Sequence, residues 1–438
     1  ALSGGRDFSA KGPIRSIHSA GTSTTVLPLS AARLTLIDEV SNMSDDGSLQ
    51  GEQEPNLSVP EVVTKYKAAA DICNRAVQAV IDGCKDGAKI VDLCRTGDNF
   101  INKECGNIYK GKQIEKGVAF PTCVSVNSVV GHFSPNADDS TALKNGDVVK
   151  IDMGCHIDGF IATQATTVVV QAGAEPITGR AADVIAAART AFDAAVRLIR
   201  PGKHISDVAG PLQKIAEAYG CNMVEGVMSH EMKQFVIDGS KCILNKPTPD
   251  QKVEDAEFEE NEVYAIDIVV STAEGKPRVL DEKETTVYKR ALEVAYQLKM
   301  QASRTVFSLI NSSFETMPFT LRALLDEAAN QKTELKVVQL KLGLVECLNH
   351  GLLHPYPVLH EKSGELVAQV KGTVLLMPNG SSIVTTAVRQ PVNSEKKVED
   401  KEILDLLATP VSAKSAKKKK NKEKAATATP APPAAADA

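Results

Sequence analysis

The sequence predicts an α+β protein, because helical and strand-like segments follow one another in mixed order and not as regular alternating units. Long segments with apolar residues at helical spacing indicate helices, and runs rich in Val, Ile and Thr indicate strands. An Asp-Gly pair, Asp158-Gly159, separates two such runs and is a strong β-hairpin signal. These three observations favour antiparallel strands packed against helices.

Helical patterns cover five segments of the chain. The first begins after Ser58, where Pro60 and an acidic residue mark a helix start, and its apolar spacing continues to Gly83. The other helices are expected over residues 182–199, over 206–220 with Ser206 as the cap, over about 285–311 and over about 319–350.

Strand-like runs lie between these helices, over residues 147–156, 160–170, 262–271 and 365–378. Two stretches, about 120–200 and 220–311, each lead from a His-bearing segment through strands into a long helix. This order hints at an internal duplication.

The overall composition is that of a globular protein. The chain has 438 residues, of which 43% are hydrophobic and 24% charged. No apolar run approaches the roughly 18 to 20 residues that span a bilayer, so membrane insertion is not expected. The nine cysteines are scattered and odd in number, which argues against a disulfide framework or a zinc ribbon and favours a reducing compartment.

The ends of the chain differ in composition from its middle. Residues 1–42 are expected to be an extension, either an organelle transit peptide or, as we favour, translated leader sequence ahead of Met43. Residues 43–57 predict an acidic disordered leader, and residues 58–400 predict the folded domain. Residues 401–438 predict a short helix and then a disordered tail of Lys, Ala and Pro.

Charge is unevenly distributed along the chain. The formal net charge is -5, and seven lysines against Glu423 give the tail +6, which leaves -11 on the remainder. Attraction to nucleic acid is therefore not expected of the whole surface. The tail lysines are Lys414, Lys417, Lys418, Lys419, Lys420, Lys422 and Lys424.

The predicted hairpin places one carboxylate in an apolar strand. If Asp158-Gly159 is the loop, Asp152 lies opposite Ala165, and Thr163 projects from the same face. A buried lone charge is costly, so Asp152 calls for a partner. An ordinary hydrogen-bonded aspartate is the alternative interpretation.

Five segments resemble type II methionine aminopeptidases in order and spacing. They are PTCVSVNSVVGHFSPN (121–136), VKIDMGCHIDGFIATQATTV (149–168), MSHEMKQFVIDG (228–239), NEVYAIDIVVST (261–272) and HPYPVLHEKSGELVAQVKGTVLLMPNG (354–380). The resemblance covers about residues 58–390. It implies the pita-bread fold, a duplicated α+β domain, with a helical insertion at about 305–357.

The resemblance also implies a vestigial metal site. The family holds two divalent metals with two aspartates, one histidine and two glutamates. In this sequence the matching positions are Asp152, Thr163, His230, Asp267 and Lys371. Thr163 and Lys371 replace the two carboxylates that bridge both metals in the family.

Charge arithmetic predicts that this site does not hold metal. Four carboxylates balance two divalent cations in the family, whereas Asp152 and Asp267 give -2 here and Lys371 returns +1. An ammonium and a dication roughly 4 Å apart repel by roughly 8 kcal/mol at an effective dielectric of about 20. We therefore expect Lys371 to neutralise Asp152 or Asp267 in a buried ion pair. No metal and no other cofactor is expected.

Two further positions match the histidines that contact substrate in the family. His132 keeps the histidine and is expected to be a packed, hydrogen-bonded group, while Asp238 replaces the second.

The lost ligands and the Lys-rich tail together make the chain similar to the proliferation-associated ErbB receptor-binding proteins, and to a plant-like or other eukaryotic member of that family. This resemblance implies binding to structured RNA and to large ribosomal subunits, roles in ribosome biogenesis, translation and growth, and location in the cytoplasm, nucleus and nucleolus.

Basic residues are the candidates for an RNA or ribosome contact, since lysine and arginine neutralise phosphates. The tail is the main candidate, and a nuclear address or a solvating segment are alternatives. Trp is absent and aromatic residues make up 4% of the chain, so base stacking is not expected. Two groups in the folded part are diluted by acids: Lys103, Lys110, Lys112 and Lys116, and Lys276, Arg278, Lys289 and Arg290.

A short apolar helix near residue 403 is a candidate for docking a nuclear regulatory protein. Ile403, Leu406 and Leu407 would form its apolar face. A helix that folds back on its own domain is the alternative.

The sequence therefore predicts a catalytically inactive, ribosome- and RNA-binding adaptor. An active metal-dependent methionine aminopeptidase is the first alternative, and a transcriptional or receptor-associated scaffold is the second.

Overall fold

A nine-stranded sheet forms the centre of the molecule. The computed structural model describes residues 55–251 and 253–411. Seven strands follow the order β1 (Lys116–Val126), β3 (Val148–Ile157), β4 (Phe160–Val169), β13 (Val367–Met377), β8 (Val263–Ser271), β6 (Met228–Met232) and β7 (Cys242–Leu244). Strand β5 (Asn222–Met223) pairs with β8, and β14 (Gly380–Ile383) pairs with β13.

The β3–β4 hairpin has the predicted register. Ile157 pairs with Phe160 and Asp152 with Ala165. Asp158 and Gly159 both have positive φ, 55° and 74°, as a type I′ turn requires. The strand alternation then points Ile151, Met153 and Cys155 towards helices, and Asp152 towards the opposite face of the sheet.

Two pairs of helices cover one face of the sheet. Helices α1 (Pro60–Gly83) and α2 (Ile90–Asn107) share a core with β1, β3 and β4. Helices α3 (Gly179–Leu198) and α4 (Ala209–Ala218) share a core with β8 and β13. Each half of the sheet therefore has its own helix pair, and the junction lies between β4 and β13, next to Asp152.

Residues 272–366 connect β8 to β13 and carry a helical subdomain. Its helices are α5 (Gln301–Ser313), α6 (Leu321–Asn330) and α7 (Val337–Asn349). Strands β9 (Val287–Arg290), β10 (Phe319–Thr320) and β11 (Leu353–Tyr356) form a small sheet beside them, and β12 (Leu359–His360) pairs with β2 (Val129–Gly131). These helices and the small sheet share a core of their own, which includes Tyr288, Leu309, Phe319 and Leu344.

The predicted helices over 285–311 and 319–350 are wrong in extent. Residues 287–290 form β9, because Tyr288 pairs with Phe319 and Pro355 across a sheet that is built from distant segments. The second segment divides at Lys332, whose φ of 51° ends the helical conformation after α6. Local periodicity cannot detect either event.

The sequence analysis also assigned no element to residues 90–107, where the structure has α2. Its buried residues Ile90, Cys94, Ile101 and Cys105 recur at helical spacing and are the signal that would have found it. The expected Ser206 cap is a second error. Ser206 lies in a 3-10 turn, Ile205–Asp207, and binds the carboxylate of Asp255 through its amide and hydroxyl.

The internal duplication hinted at by the sequence has different boundaries in the structure. In each half of the sheet the helices α1–α2 or α3–α4 precede the strands β3–β4 or β8–β13 that they cover. The stretch 220–311 ends within α5, which belongs to the helical subdomain, whereas the last strand of the second half of the sheet, β13, follows that subdomain.

Helix α8 (Lys401–Ala408) follows the last strand and is capped by the carboxylate of Asp400. The predicted extension 1–42, most of the acidic leader and the tail lysines lie outside the described residues. Within the described ranges, no helix is both long enough and apolar enough to cross a membrane.

A buried arginine joins the helical subdomain to the main sheet. Arg322 on α6 is 4% exposed and donates to the carbonyl of Pro135 at 2.6 Å and to the carboxylate of Asp98 on α2 at 3.1 Å. Asp98 also accepts the amide of Thr122. Burial raises the pKa of Asp98, while the charge of Arg322 opposes that shift.

We predict that Arg322→Met destabilises the protein by about 3 to 5 kcal/mol, because it leaves the Asp98 carboxylate buried without its counter-ion. Denaturant unfolding followed by circular dichroism gives this value. Lys341→Met, at an exposed position of α7, is the charge-matched control. The double variant Asp98→Asn/Arg322→Met should lose less than the sum of the single losses. Additive losses would show that the two side chains are not coupled.

Candidate functional site

The candidate site is a row of four side chains that crosses the junction of the two halves. Asp152 on β3 pairs with Ala165 on β4, Ala165 pairs with Lys371 on β13, and Lys371 pairs with Asp267 on β8. All four project from the face opposite helices α1–α4, because strand side chains alternate. Ala165 is short, and this leaves space through which Lys371 reaches Asp152.

Lys371 binds both carboxylates. Its Nζ lies 2.8 Å from Oδ2 of Asp152 and 3.0 Å from Oδ2 of Asp267. The side chains are about nine-tenths buried or more, with exposures of 9%, 5% and 11% for Lys371, Asp152 and Asp267. The ammonium also lies 5.3 Å from the ring centre of Phe120, within cation–π distance. The predicted ion pair is thus a triad with one cation and two carboxylates.

Gln369 adds a hydrogen-bond donor beside the ammonium of Lys371. Its Nε2 donates to Oδ1 of Asp267 at 2.9 Å and lies 3.4 Å from Oδ2 of Asp152. Gln369 stands two residues before Lys371 on β13 and therefore faces the same side of the sheet. An amide donor adjacent to a shared ammonium stabilises the second negative charge, which has no cation of its own.

Burial sets the protonation of the triad. Burial raises the pKa of Asp152, and the nearby charge of Asp267 adds to this shift, while Lys371 opposes it. Burial also disfavours the charged form of Lys371, but the two carboxylates outweigh that effect and raise its pKa. Lys371 therefore stays protonated at neutral pH and cannot offer a lone pair.

Thr163 occupies the position of the second family aspartate. It is 2% exposed, and its backbone carbonyl accepts the hydroxyls of Thr373 and Thr385. Its own Oγ1 has no hydrogen-bond partner among the described residues. A neutral hydroxyl gives the site no negative charge to offset a dication.

The two histidines lie at the edge of the triad. Nδ1–H of His132 donates to the carbonyl of Pro357 at 3.1 Å, and the ring packs edge-to-face on Tyr356. Burial and the charge of Lys371 lower its pKa to about 4. The same two causes lower the pKa of His230, whose Nδ1 lies 3.3 Å from the carbonyl of Glu231. Both rings are therefore neutral at neutral pH.

Asp238 does not join the triad. It is exposed, and its carboxylate pairs with Lys289 on β9. This pair links β9 of the small sheet to the segment between β6 and β7.

Metal does not fit the residues present. Two carboxylates and one histidine remain of the family set, and the ammonium of Lys371 lies between the carboxylates, where it repels a cation. Across the described ranges, no group of three or more His, Cys, Asp or Glu side chains is placed to hold a metal ion. The arrangement holds two carboxylates around one ammonium and offers no open coordination position for activating water.

Sequence reasoning missed Gln369 and Phe120. Gln369 lies in the segment AQVKGT, two residues from Lys371, and the strand period would have placed it on the same face. Phe120 gave no such signal, because its contact with Lys371 depends on the pairing of β1 with β3.

The predicted basic residues divide into exposed and buried groups. Lys103, Lys110, Lys112, Lys276 and Arg278 are exposed. Lys289, which the sequence grouped with candidate RNA contacts, is not exposed: its exposure is 6% and it is paired with Asp238. The remaining two are partly buried: Lys116 donates to the carbonyl of Ile108, and Arg290 lies over the ring of Phe307.

The predicted docking face of α8 is covered by the protein itself. Ile403 is 3% exposed within the core of α3 and α4, and Leu406 and Leu407 pack against that core. The folded-back alternative therefore describes this conformation, and these three side chains are not available for docking in it.

Comparisons with known proteins show the family to which the chain belongs. Residues 64–298 match metallopeptidase family M24. An ErbB-3 binding protein 1 from Solanum tuberosum is 57% identical over 375 residues, which cover 85% of this chain and 93% of the relative. The chain belongs to the ErbB-3 binding protein family. This family is thus a branch of M24 and a relative of the methionine aminopeptidases.

Two further similarities were found, one to a protein sequence and one to a solved structure. A curved DNA-binding protein of Schizosaccharomyces pombe is 42% identical over 371 residues, covering 83% of this chain and 94% of the relative. The structure of a thermophilic Arx1 superposes with a TM-score of 0.74 at 28% identity and covers 81% of this chain and 99% of its own. The pita-bread fold predicted from the sequence is confirmed.

We predict that Lys371→Met destabilises the protein by about 3 to 5 kcal/mol near pH 8, because two buried carboxylates lose their counter-ion. Without the lysine, the folded-state pKa of one carboxylate rises further above its unfolded value of 3.8. A raised carboxylate pKa costs stability as pH rises through that interval, so the loss should be smaller near pH 5.

Urea unfolding at the two pH values measures this difference. Lys362→Met is the control, since Lys362 and its partner Glu274 are more than half exposed. A Lys371→Met loss that does not change with pH would contradict the shared-ammonium arrangement.

Proposed function

We propose that this protein is a non-catalytic adaptor that binds ribosomal particles and structured RNA through its surface. The observation that carries the first half of the proposal is the position of Lys371, between Asp152 and Asp267. Metal-dependent hydrolysis needs a bound water that is acidified at an open coordination position. The ammonium fills the space between the carboxylates, and a protonated lysine cannot replace that chemistry.

Metal analysis of the purified protein tests the loss of catalysis. After incubation with cobalt or manganese and desalting, the native chain should retain far less than one metal per molecule and release no Met from a Met-initiated peptide. Lys371→Glu should raise metal retention, because it removes the repelling charge and adds a ligand.

Lys362→Glu is the control for a surface charge reversal. A variant that combines Thr163→Asp with Lys371→Glu should retain the most metal. Stoichiometric metal in the native chain that Lys371→Glu leaves unchanged, with turnover of the peptide, would favour an active aminopeptidase and overturn the proposal.

Electrostatics supports the second half of the proposal. Exposed lysine and arginine side chains release condensed counter-ions when they contact phosphate, so they bind RNA without reading its sequence. The tail holds seven lysines between Lys414 and Lys424, and the described surface adds the exposed groups Lys103, Lys110 and Lys112, and Lys276 with Arg278.

The relatives support the same class of partner. A 42% identical relative carries the name curved DNA-binding protein, and the resemblance noted from the sequence implies contact with large ribosomal subunits. The proposed roles are ribosome biogenesis, translation and growth regulation, with residence in the cytoplasm, nucleus and nucleolus. The name ErbB-3 binding protein of the potato relative points to protein partners in addition.

Sedimentation with purified large ribosomal subunits tests the binding proposal. The full chain should co-sediment at about 50 mM salt and lose most binding at about 200 mM, since several phosphate contacts make affinity steeply salt-dependent. A chain ending at Thr409 should bind less and respond less to salt, because it lacks the tail lysines.

Charge reversal separates the two exposed groups of the folded part. Lys276→Glu/Arg278→Glu and Lys103→Glu/Lys110→Glu are compared with Lys332→Glu/Lys336→Glu, a matched change on the helical subdomain. Loss of binding in one of the first two variants alone would assign the anchor to that group. A full chain that fails to co-sediment at low salt would overturn the ribosome proposal, and partners that persist after RNase would favour a protein scaffold.

A further inference from the structure

Two cysteines lie within thiol contact in the core between α2 and β3. The Sγ atoms of Cys105 and Cys155 are 3.5 Å apart, and 50 positions separate the two residues in sequence. Cys105 lies in the last turn of α2, which ends at Asn107, and Cys155 lies in β3. Both side chains are buried, at 1% and 0% exposure.

The Cys105 thiol differs from all the other cysteines. The hydrogen bond from Cys155 and the positive charge of Lys116 lower the pKa of Cys105, although burial opposes this. Burial raises the pKa of each of the other eight cysteines, including Cys155. One partner of the pair is therefore disposed to ionise, and the other keeps its proton.

The pair supplies both the attacking thiolate and the resolving thiol that disulfide formation by a peroxide needs. A low-pKa thiolate is the nucleophile that reacts with peroxides, and an adjacent thiol is needed to resolve the sulfenic acid that forms. Cys105 is buried in the last turn of α2, and helix ends open locally more readily than helix centres, so a small oxidant would reach it by such an opening.

We propose that Cys105 and Cys155 form a reversible intramolecular disulfide when the protein meets a hydroperoxide. The Cys105 thiolate attacks one peroxide oxygen, the O–O bond breaks, and hydroxide leaves to become water after taking a proton. Cys155 sulfur then attacks the Cys105 sulfenic sulfur, the S–S bond forms, and a second water leaves with the Cys155 proton. Two electrons pass from the sulfurs to the peroxide.

The bond would fasten the C-terminal turn of α2 to the strand that carries Asp152. The two sulfurs must approach from 3.5 Å to about 2.05 Å, which is a small movement for side chains that already face one another. Closing a loop of this length restricts the unfolded chain, so oxidation should stabilise the native state. This inference is independent of the proposed RNA and ribosome contacts.

Oxidation of the full chain with hydrogen peroxide tests the proposal. Alkylation of the remaining thiols, non-reducing digestion and mass spectrometry should identify one linked peptide pair, Cys105 with Cys155, and a mass loss of two hydrogens. The thermal midpoint should rise by roughly 5 °C and return after dithiothreitol.

Cys105→Ala should abolish both changes, whereas Cys94→Ala, a buried cysteine of the same helix, should abolish neither. The peptide map of the native chain decides the matter even if Cys105→Ala does not fold. Peroxide treatment that leaves both thiols free, oxidises Cys105 to sulfinic acid alone, or links Cys155 to Cys73 would overturn the proposal.

Discussion

Two buried carboxylates that face one another across a sheet need a counter-charge, and this requirement organises the centre of the molecule. Asp152 and Asp267 belong to different halves of the sheet, and β13 brings Lys371 and Gln369 between them. A lone buried charge costs several kcal/mol, so the ammonium and the amide donor together stabilise the two carboxylates and link the two halves of the sheet. The centre of the sheet thus holds a protonated lysine where two carboxylates from different strands meet.

The helical subdomain depends on a second buried charge pair. Arg322 on α6 reaches the carbonyl of Pro135 and the carboxylate of Asp98 on α2. The subdomain has its own apolar core, and this arginine and the Lys289–Asp238 pair connect that core to the main sheet. The helical subdomain is therefore held to the main sheet by structural ion pairs, and the functions we propose fall to basic groups elsewhere on the chain.

The hairpin and the helices show which structural features local sequence can predict and which it cannot. Asp158-Gly159 determined both a turn type and a register, because a two-residue loop fixes every pair along its strands. The Lys371 ion pair could be anticipated because the position matched a family carboxylate and its charge was of opposite sign. The helix expected over 285–311 failed at Tyr288, whose partners lie about 30 and 65 positions later in the chain. Side-chain periodicity does not report such non-local pairing.

The sequence by itself determined the α+β class and the β3–β4 register, because both follow from residue type and local spacing, while the family resemblance implied that Thr163 and Lys371 replace metal-bridging carboxylates. Only the tertiary structure decided that one ammonium serves two carboxylates, that Gln369 assists it, that Lys289 is buried, and that Cys105 meets Cys155. Those contacts join strands and helices that are distant in sequence, and their geometry is fixed by the packing of the two halves and the helical subdomain.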